Sequence, residues 1–157
     1  MQALWKDFAR LFTSAEGRIP RLAYWIGFIT ILLVEIVLRL LLGVPLAPIP
    51  ADPFSIRALS FLIDAALLYP TAIVMVKRFH DRDRSGQLIG WFVVPYSVIM
   101  LTNLLGMSGD PDHMGLVEAL LLIATTIVTL AFIVELGFRR GTLGDNHYGP
   151  DPIGRSI

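Results

Sequence analysis

Four long apolar blocks, separated by short polar connectors, leave this chain few ways to fold. They run approximately over residues 22–42, 58–76, 88–105 and 116–138, and together they take up about half of the 157 residues. Each matches the ~20 apolar residues needed to cross ~30 Å of hydrocarbon, and each is too long and too uniformly apolar for a strand or an ordinary amphipathic helix. Inside a bilayer the backbone must satisfy its own hydrogen bonds, which selects helices. The predicted fold is therefore an all-α membrane protein, a four-span transmembrane helical bundle forming one integral membrane domain over residues 1–157. Only 17% of the residues are charged, where a soluble domain would carry about a quarter. The first block has some twenty residues before it and a core too long for a cleaved signal peptide. Asp52 and Pro53 read as the N-cap and first residue of the second helix. Pro70 and Pro95 fall inside the second and third spans, where a kink is expected.

Net charge is zero, yet the basic residues are distributed very unevenly. Lys6, Arg10, Arg18 and Arg21 precede the first span; Lys77, Arg78, Arg82 and Arg84 follow the second; Arg139, Arg140 and Arg155 follow the fourth. The two connectors on the other side carry Arg57 with Asp52, Asp110 and Asp112. By the positive-inside rule both termini and the central loop are expected in the cytoplasm (N-in, C-in). Tyr24 and Trp25 are expected at the membrane–water interface. Ahead of the first span, Trp5, Phe8 and Phe12 recur at helical spacing opposite Lys6, Asp7 and Arg10, predicting a short N-terminal interfacial helix.

Charged residues also occur inside the spans. Glu35 and Arg39 lie one turn apart near the outer end of the first, and Asp64 lies at comparable depth in the second, with Glu118 near the outer start of the fourth. Three acids compete for one cation. A polar clamp between helices is the expected arrangement, with a proton or cation pathway as its rival. Glu135, at the inner end of the fourth span, is placed to pair with Arg139.

Three segments converge on the basic side: Gly17 to Trp25, Lys77 to Gly86, and the turn-rich tail Gly141 to Pro152. The pattern formed by Phe12, Gly17, Arg18, Arg21, Tyr24 and Trp25, followed by Arg78, His80, Asp81, Arg84, Ser85 and Gly86, and then Gly144, Asn146, Tyr148, Gly149, Pro150, Asp151 and Pro152, resembles the bacterial inner-membrane family known as domain of unknown function 805. Asp83 stands where that family commonly has glycine, and Gln87 where an aromatic is common. The resemblance implies a small multi-pass protein of the bacterial cytoplasmic membrane and brings no reaction, substrate or catalytic residue.

Arg18, Arg21, Arg78 and Arg84 offer planar forks suited to phosphate or carboxylate, and anionic lipid headgroups are the natural ligand at that depth. The alternative is a cap in which Asp81, Asp83 and Asp145 neutralise those arginines, with His80, Ser85, Asn146 and Tyr148 completing the polar cluster. His80, Asp81 and Ser85 lack a nucleophile-elbow context, and His80, His147 and Asp81 lack metal-ligand spacing; no catalytic residue, metal or cofactor is assigned. Without cysteines, thiolate chemistry is excluded. The basic residues need no nucleic acid to explain them. The expected role is non-enzymatic, engaging anionic lipid or a membrane-protein partner, with Gly86 and Gly90 permitting close approach of a helix or a homo-oligomer. A small transporter or channel using the intramembrane acids is the alternative, and a lipid-modifying enzyme the third.

Overall fold

The computed structural model describes residues 2–46, 51–107 and 115–154. The chain is all-helical: α1 (Gln2–Thr13), α2 (Arg21–Leu42), α3 (Phe54–Asp81), α4 (Gly90–Leu105) and α5 (Leu116–Phe132). A 3-10 turn, Gly86–Ile89, leads into α4, and a π-helical segment, Ile133–Phe138, extends α5. Four stretches, 21–42, 54–81, 86–105 and 119–138, are long and apolar enough to cross a membrane. Residues 108–114, with Asp110, Asp112 and His113, and residues 155–157, with Arg155, lie outside the described residues.

Helix ends follow local chemistry. α2 starts after Pro20, whose carbonyl accepts from Tyr24 N at 3.1 Å. It stops at Gly43, where Val44 N donates back to Arg39 O at 2.9 Å, the wrapped C-terminal geometry that closes many helices. α3 begins at Phe54 with Pro53 in the capping position, one residue later than the sequence suggests. Both α3 and α4 run uninterrupted through Pro70 and Pro95.

One boundary differs in substance. Residues 77–81, expected in a loop, form the last helical turn of α3. The turn persists because Arg78 and Asp81, three residues apart, pair on one face and both are buried.

α3 is the central element, packed on α1, α2 and α4, and α5 leans on α4. The close-packed core sits at the end of the bundle where α3 finishes: Leu11, Ile19, Tyr24, Val74, Met75, Phe79 and Leu136. Laterally the helices expose apolar side chains, including Leu40, Leu41, Leu116 and Val117, each more than 70% exposed. In water such a surface would aggregate, whereas in lipid tails it is solvated. Tyr24 lies in the first turn of α2. It is 1% exposed, enclosed beside Trp25 and Phe28, because the basic end is roofed by other segments.

α1 packs on α3. Its Leu11 is buried, Phe8 stays exposed and meets Phe12 edge-on at 5.2 Å. The Trp5, Lys6 and Asp7 side chains lie outside the described residues. Lys77 of α3 reaches back to α1, its Nζ donating to Arg10 O at 2.6 Å. A buried ammonium thus satisfies a carbonyl in the last turn of α1, the helix end that favours positive charge.

Candidate functional site

At the basic end of the bundle the three converging segments meet around Asp81. Its carboxylate lies between two buried guanidiniums: Oδ1 accepts from Arg18 Nη2 at 3.2 Å and Nε at 3.3 Å, and Oδ2 pairs with Arg78 Nη1. All three side chains are at most 2% exposed. Two cations and one anion out of water would be costly alone, so the remaining donors need partners. Backbone carbonyls supply them. Arg78 Nε donates to Leu136 O at 2.6 Å, Nη1 to Ile19 O at 3.3 Å and Nη2 to Arg139 O at 2.5 Å. Arg18 Nη1 donates to Gly144 O at 2.8 Å and Gly149 O at 3.2 Å, and its Nη2 to Thr142 O at 2.9 Å.

The tail supplies acceptors because it is turn-rich and leaves its carbonyls out of any helix. Thr142 N donates to Asp81 O at 2.8 Å, and Asn146 Nδ2 donates to His80 O at 2.8 Å, fastening the tail to the end of α3. Gly141 crosses directly over Asp81, where a Cβ would overlap the carboxylate. Gly17 has φ +81°, a left-handed conformation that lets Ile19 and Arg18 turn in under the tail.

Carbonyls of the π-helical segment form a second acceptor row. They belong to the last turn of the helix, where carbonyls have no helical donor ahead of them, and Arg78, Trp25 and Arg21 take that place. Trp25 Nε1 donates to Gly137 O at 3.1 Å, and Arg21 Nη1 to Phe138 O at 3.1 Å. Gly137 lies against the indole, with a Cβ there falling 2.6 Å from Cζ2.

Outside this buried cluster lies an exposed basic rim. Glu135 pairs with Arg139 at 2.8 Å as expected, and also with Arg82 at 2.8 Å and Arg84 at 3.6 Å. One carboxylate thus faces three guanidiniums. The Arg84 and Arg139 side chains are 51% and 58% exposed. Arg82 also donates to Arg140 O at 3.0 Å, and Arg21 approaches through Phe138 O.

The remaining predicted residues have specific places. His80 stacks flat on Tyr148, ring centroids 3.8 Å apart, with Nδ1 3.3 Å from Gly17 O. Ser85 caps the 3-10 turn, its Oγ accepting from Gln87 N at 3.2 Å. Histidine and serine are therefore each engaged with other groups. Of the acids expected to neutralise arginines, Asp81 does so, whereas Asp83 pairs with His147 at 2.9 Å. The hydrogen bond from His147 is the main reason the Asp83 carboxyl is held below the usual carboxylate range. Asp83 has φ +55°, a left-handed position that glycine takes without strain. Gly86 makes the expected close approach, but to α3 of its own chain, where a Cβ would fall 2.8 Å from Val76 Cγ1. Gly90 has open space beside it.

At the opposite end Arg39 is buried and holds Glu35 Oε1 at 3.0 Å, Ser60 Oγ at 3.2 Å, Pro45 O at 3.0 Å and the Asp64 carboxylate. The expected clamp across α2 and α3 is thus assembled from Glu35, Arg39 and Asp64, with Ser60 and the Pro45 carbonyl as further members. The Glu118 side chain lies outside the described residues. Sequence reasoning missed Thr142, Trp25 and the Lys77 contact; the density of glycine in the tail was the available signal for free carbonyls.

The sequence agrees with this architecture. The family model described as "Protein of unknown function (DUF805)" matches residues 12–150. The chain belongs to this family. Its Arg18, Asp81 and Asn146, drawn from the three motif segments, make the contacts just described. The chain is 29% identical over 143 residues to "Uncharacterized protein YiiR" of Escherichia coli (strain K12), covering 88% of this chain and 85% of that protein. The protein of the same description from Escherichia coli O157:H7 matches equally. No solved structure matches the chain.

Proposed function

We propose that the protein is a non-enzymatic component of the bacterial cytoplasmic membrane, with both termini and the α3–α4 connection in the cytoplasm. In this reading it holds anionic lipid headgroups on the rim formed by Arg21, Arg84, Arg139 and Arg140. The excess of exposed guanidinium over carboxylate around Glu135 carries the proposal. Arg18 and Arg78 are consumed by Asp81 and by carbonyls, so they serve as the floor on which the rim is mounted. Among the described residues the rim arginines keep unshared donors, at the depth where phosphates of an anionic leaflet would lie, and each basic residue there contributes ~1 kcal/mol. The N-in, C-in orientation rests on the same asymmetry of basic residues.

Purification in gentle detergent followed by quantification of bound lipid tests the reading. Phosphatidylglycerol and cardiolipin should be enriched over their proportion in the source membrane. A triple variant, Arg84→Gln with Arg139→Gln and Arg140→Gln, should lose that enrichment while remaining folded. Bound lipid that mirrors bulk composition, or an unchanged profile in the triple variant, would refute it. Reporter fusions at each terminus check the orientation independently.

A further inference from the structure

A slot enclosed by α2, α3 and α4 reaches from the middle of the bundle up to the Arg39 clamp, with a volume of about 170 Å³. We propose that it binds a small organic monocation, an aryl- or alkylammonium of about one ring in size. This is independent of the lipid-binding rim, which lies at the other end of the helices.

Size comes first. A cavity of about 150 Å³ lined by aliphatic and aromatic side chains accepts benzene, so this slot takes one six-membered ring and little more. Its walls suit such a body. Phe28, Leu68 and the parallel rings of Phe92 and Tyr96, 5.4 Å apart and tilted by 12°, line the slot. Aromatic faces also attract cations, more strongly where water is excluded.

Charge comes second. Glu35 and Asp64 line the same slot, and the clamp offers only one guanidinium for two carboxylates. Arg39 also spends donors on Ser60 and the Pro45 carbonyl. It holds Glu35 through Oε1, and among the described residues no donor meets Oε2. With both acids ionised the end of the slot carries one uncompensated negative charge in an apolar setting, which a bound cation neutralises. The Glu35 side chain is 32% exposed, so this carboxylate stands at the mouth, where an ammonium group can reach it. A hard divalent cation such as Ca²⁺ or Mg²⁺ is disfavoured because it needs about six or more oxygen ligands, and the walls are mostly hydrocarbon. An anion would be repelled.

The test is a titration of the full-length protein in one fixed detergent with benzylammonium, benzyl alcohol and benzoate, read by ligand-observed NMR or calorimetry. Benzylammonium should bind saturably, benzyl alcohol at least about tenfold more weakly, and benzoate not at all. Glu35→Gln, which leaves Arg39 its Asp64 partner, should weaken benzylammonium by about tenfold or more. Leu68→Phe, which fills the slot while keeping both acids, should abolish binding of both the cation and the alcohol. Equal binding of the cation and the alcohol, insensitivity to Glu35→Gln, or no binding that Leu68→Phe removes would each overturn the proposal.

Discussion

Replacing Asp81 by asparagine should be among the most damaging single changes in the protein, although it keeps the number of heavy atoms and changes little volume. The side chain is 2% exposed and, among the described residues, is the one carboxylate that meets both Arg18 and Arg78. Neutralising it leaves two guanidiniums buried without a counter-charge. Removing one member of a buried ion pair costs about 3–5 kcal/mol. Here the arginines retain their carbonyl partners, Leu136, Ile19 and Arg139 for Arg78, and Gly144, Gly149 and Thr142 for Arg18. Those contacts hold the cations in place and put the expected loss near the lower end, about 3 kcal/mol. Asp83→Asn, at an exposed position, should cost far less than Asp81→Asn. Reversible unfolding in mixed micelles by increasing denaturing detergent measures both. A cycle with Arg18→Gln sharpens the test: in the double variant one excess cation is gone, and the coupling between the two changes should exceed ~1 kcal/mol. A loss below about 1 kcal/mol for Asp81→Asn, or additive losses in the cycle, would refute the view that Asp81 neutralises a buried dication.

Gly141→Ala should loosen the tail, because the new methyl meets the Asp81 carboxylate; a loss of about 1–3 kcal/mol and faster amide exchange at Thr142 are expected. Arg39→Gln should destabilise strongly, by about 3 kcal/mol, because it leaves Asp64 without a counter-charge. Asp64→Asn, which leaves Arg39 paired with Glu35, should cost less, and the double variant should recover part of the Arg39→Gln loss, leaving Glu35 at the partly exposed mouth. The contact between Asp83 and His147 should depend on pH in a definite direction. The Asp83 carboxyl is depressed in the folded protein from 3.8, so its contribution is complete above that value and disappears as pH falls through the lower folded value. Amide exchange at His147 should therefore rise in that acidic window, and Asp83→Asn should remove the dependence.

The four spans and the Glu35–Arg39–Asp64 clamp were legible because they depend on run length, helical spacing and depth, all of which can be counted along a chain. Which arginines are buried was not. Arg18 and Arg21 are three residues apart with the same charge, yet one is enclosed and the other exposed. The difference comes from the tail folding back over Arg18, and the partners it brings are main-chain carbonyls, which every residue type carries. The partners of Tyr24 and Trp25 were not legible for a related reason. Trp25 donates to Gly137 O and Tyr24 is roofed over, outcomes set by the π-helical segment more than a hundred residues later. Asp83 shows the reverse: it stands where the family commonly has glycine, and it takes the left-handed backbone conformation that glycine adopts without strain.

The two buried arginine clusters have a common consequence for how this bundle is specified. Apolar helix faces in lipid have little reason to choose one register over another, since a leucine is as well solvated by acyl chains as by its neighbour. Arg39 joins α2 to Ser60 and Asp64 of α3 at one end, and Arg78 and Asp81 join α3 to Ile19 and Arg18 at the other. Along α3, Asp64 and Asp81 are separated by roughly 26 Å at 1.5 Å per residue, close to the thickness of the hydrocarbon. The clusters therefore fasten α3 at two well-separated levels, and a slip of one turn between α2 and α3 would break both at once. Charges committed to register in this way have little capacity left for a ligand. What remains available is the exposed arginine rim around Glu135 at one end and the half-committed Glu35 at the other, and it is at those two places that binding chemistry is to be sought.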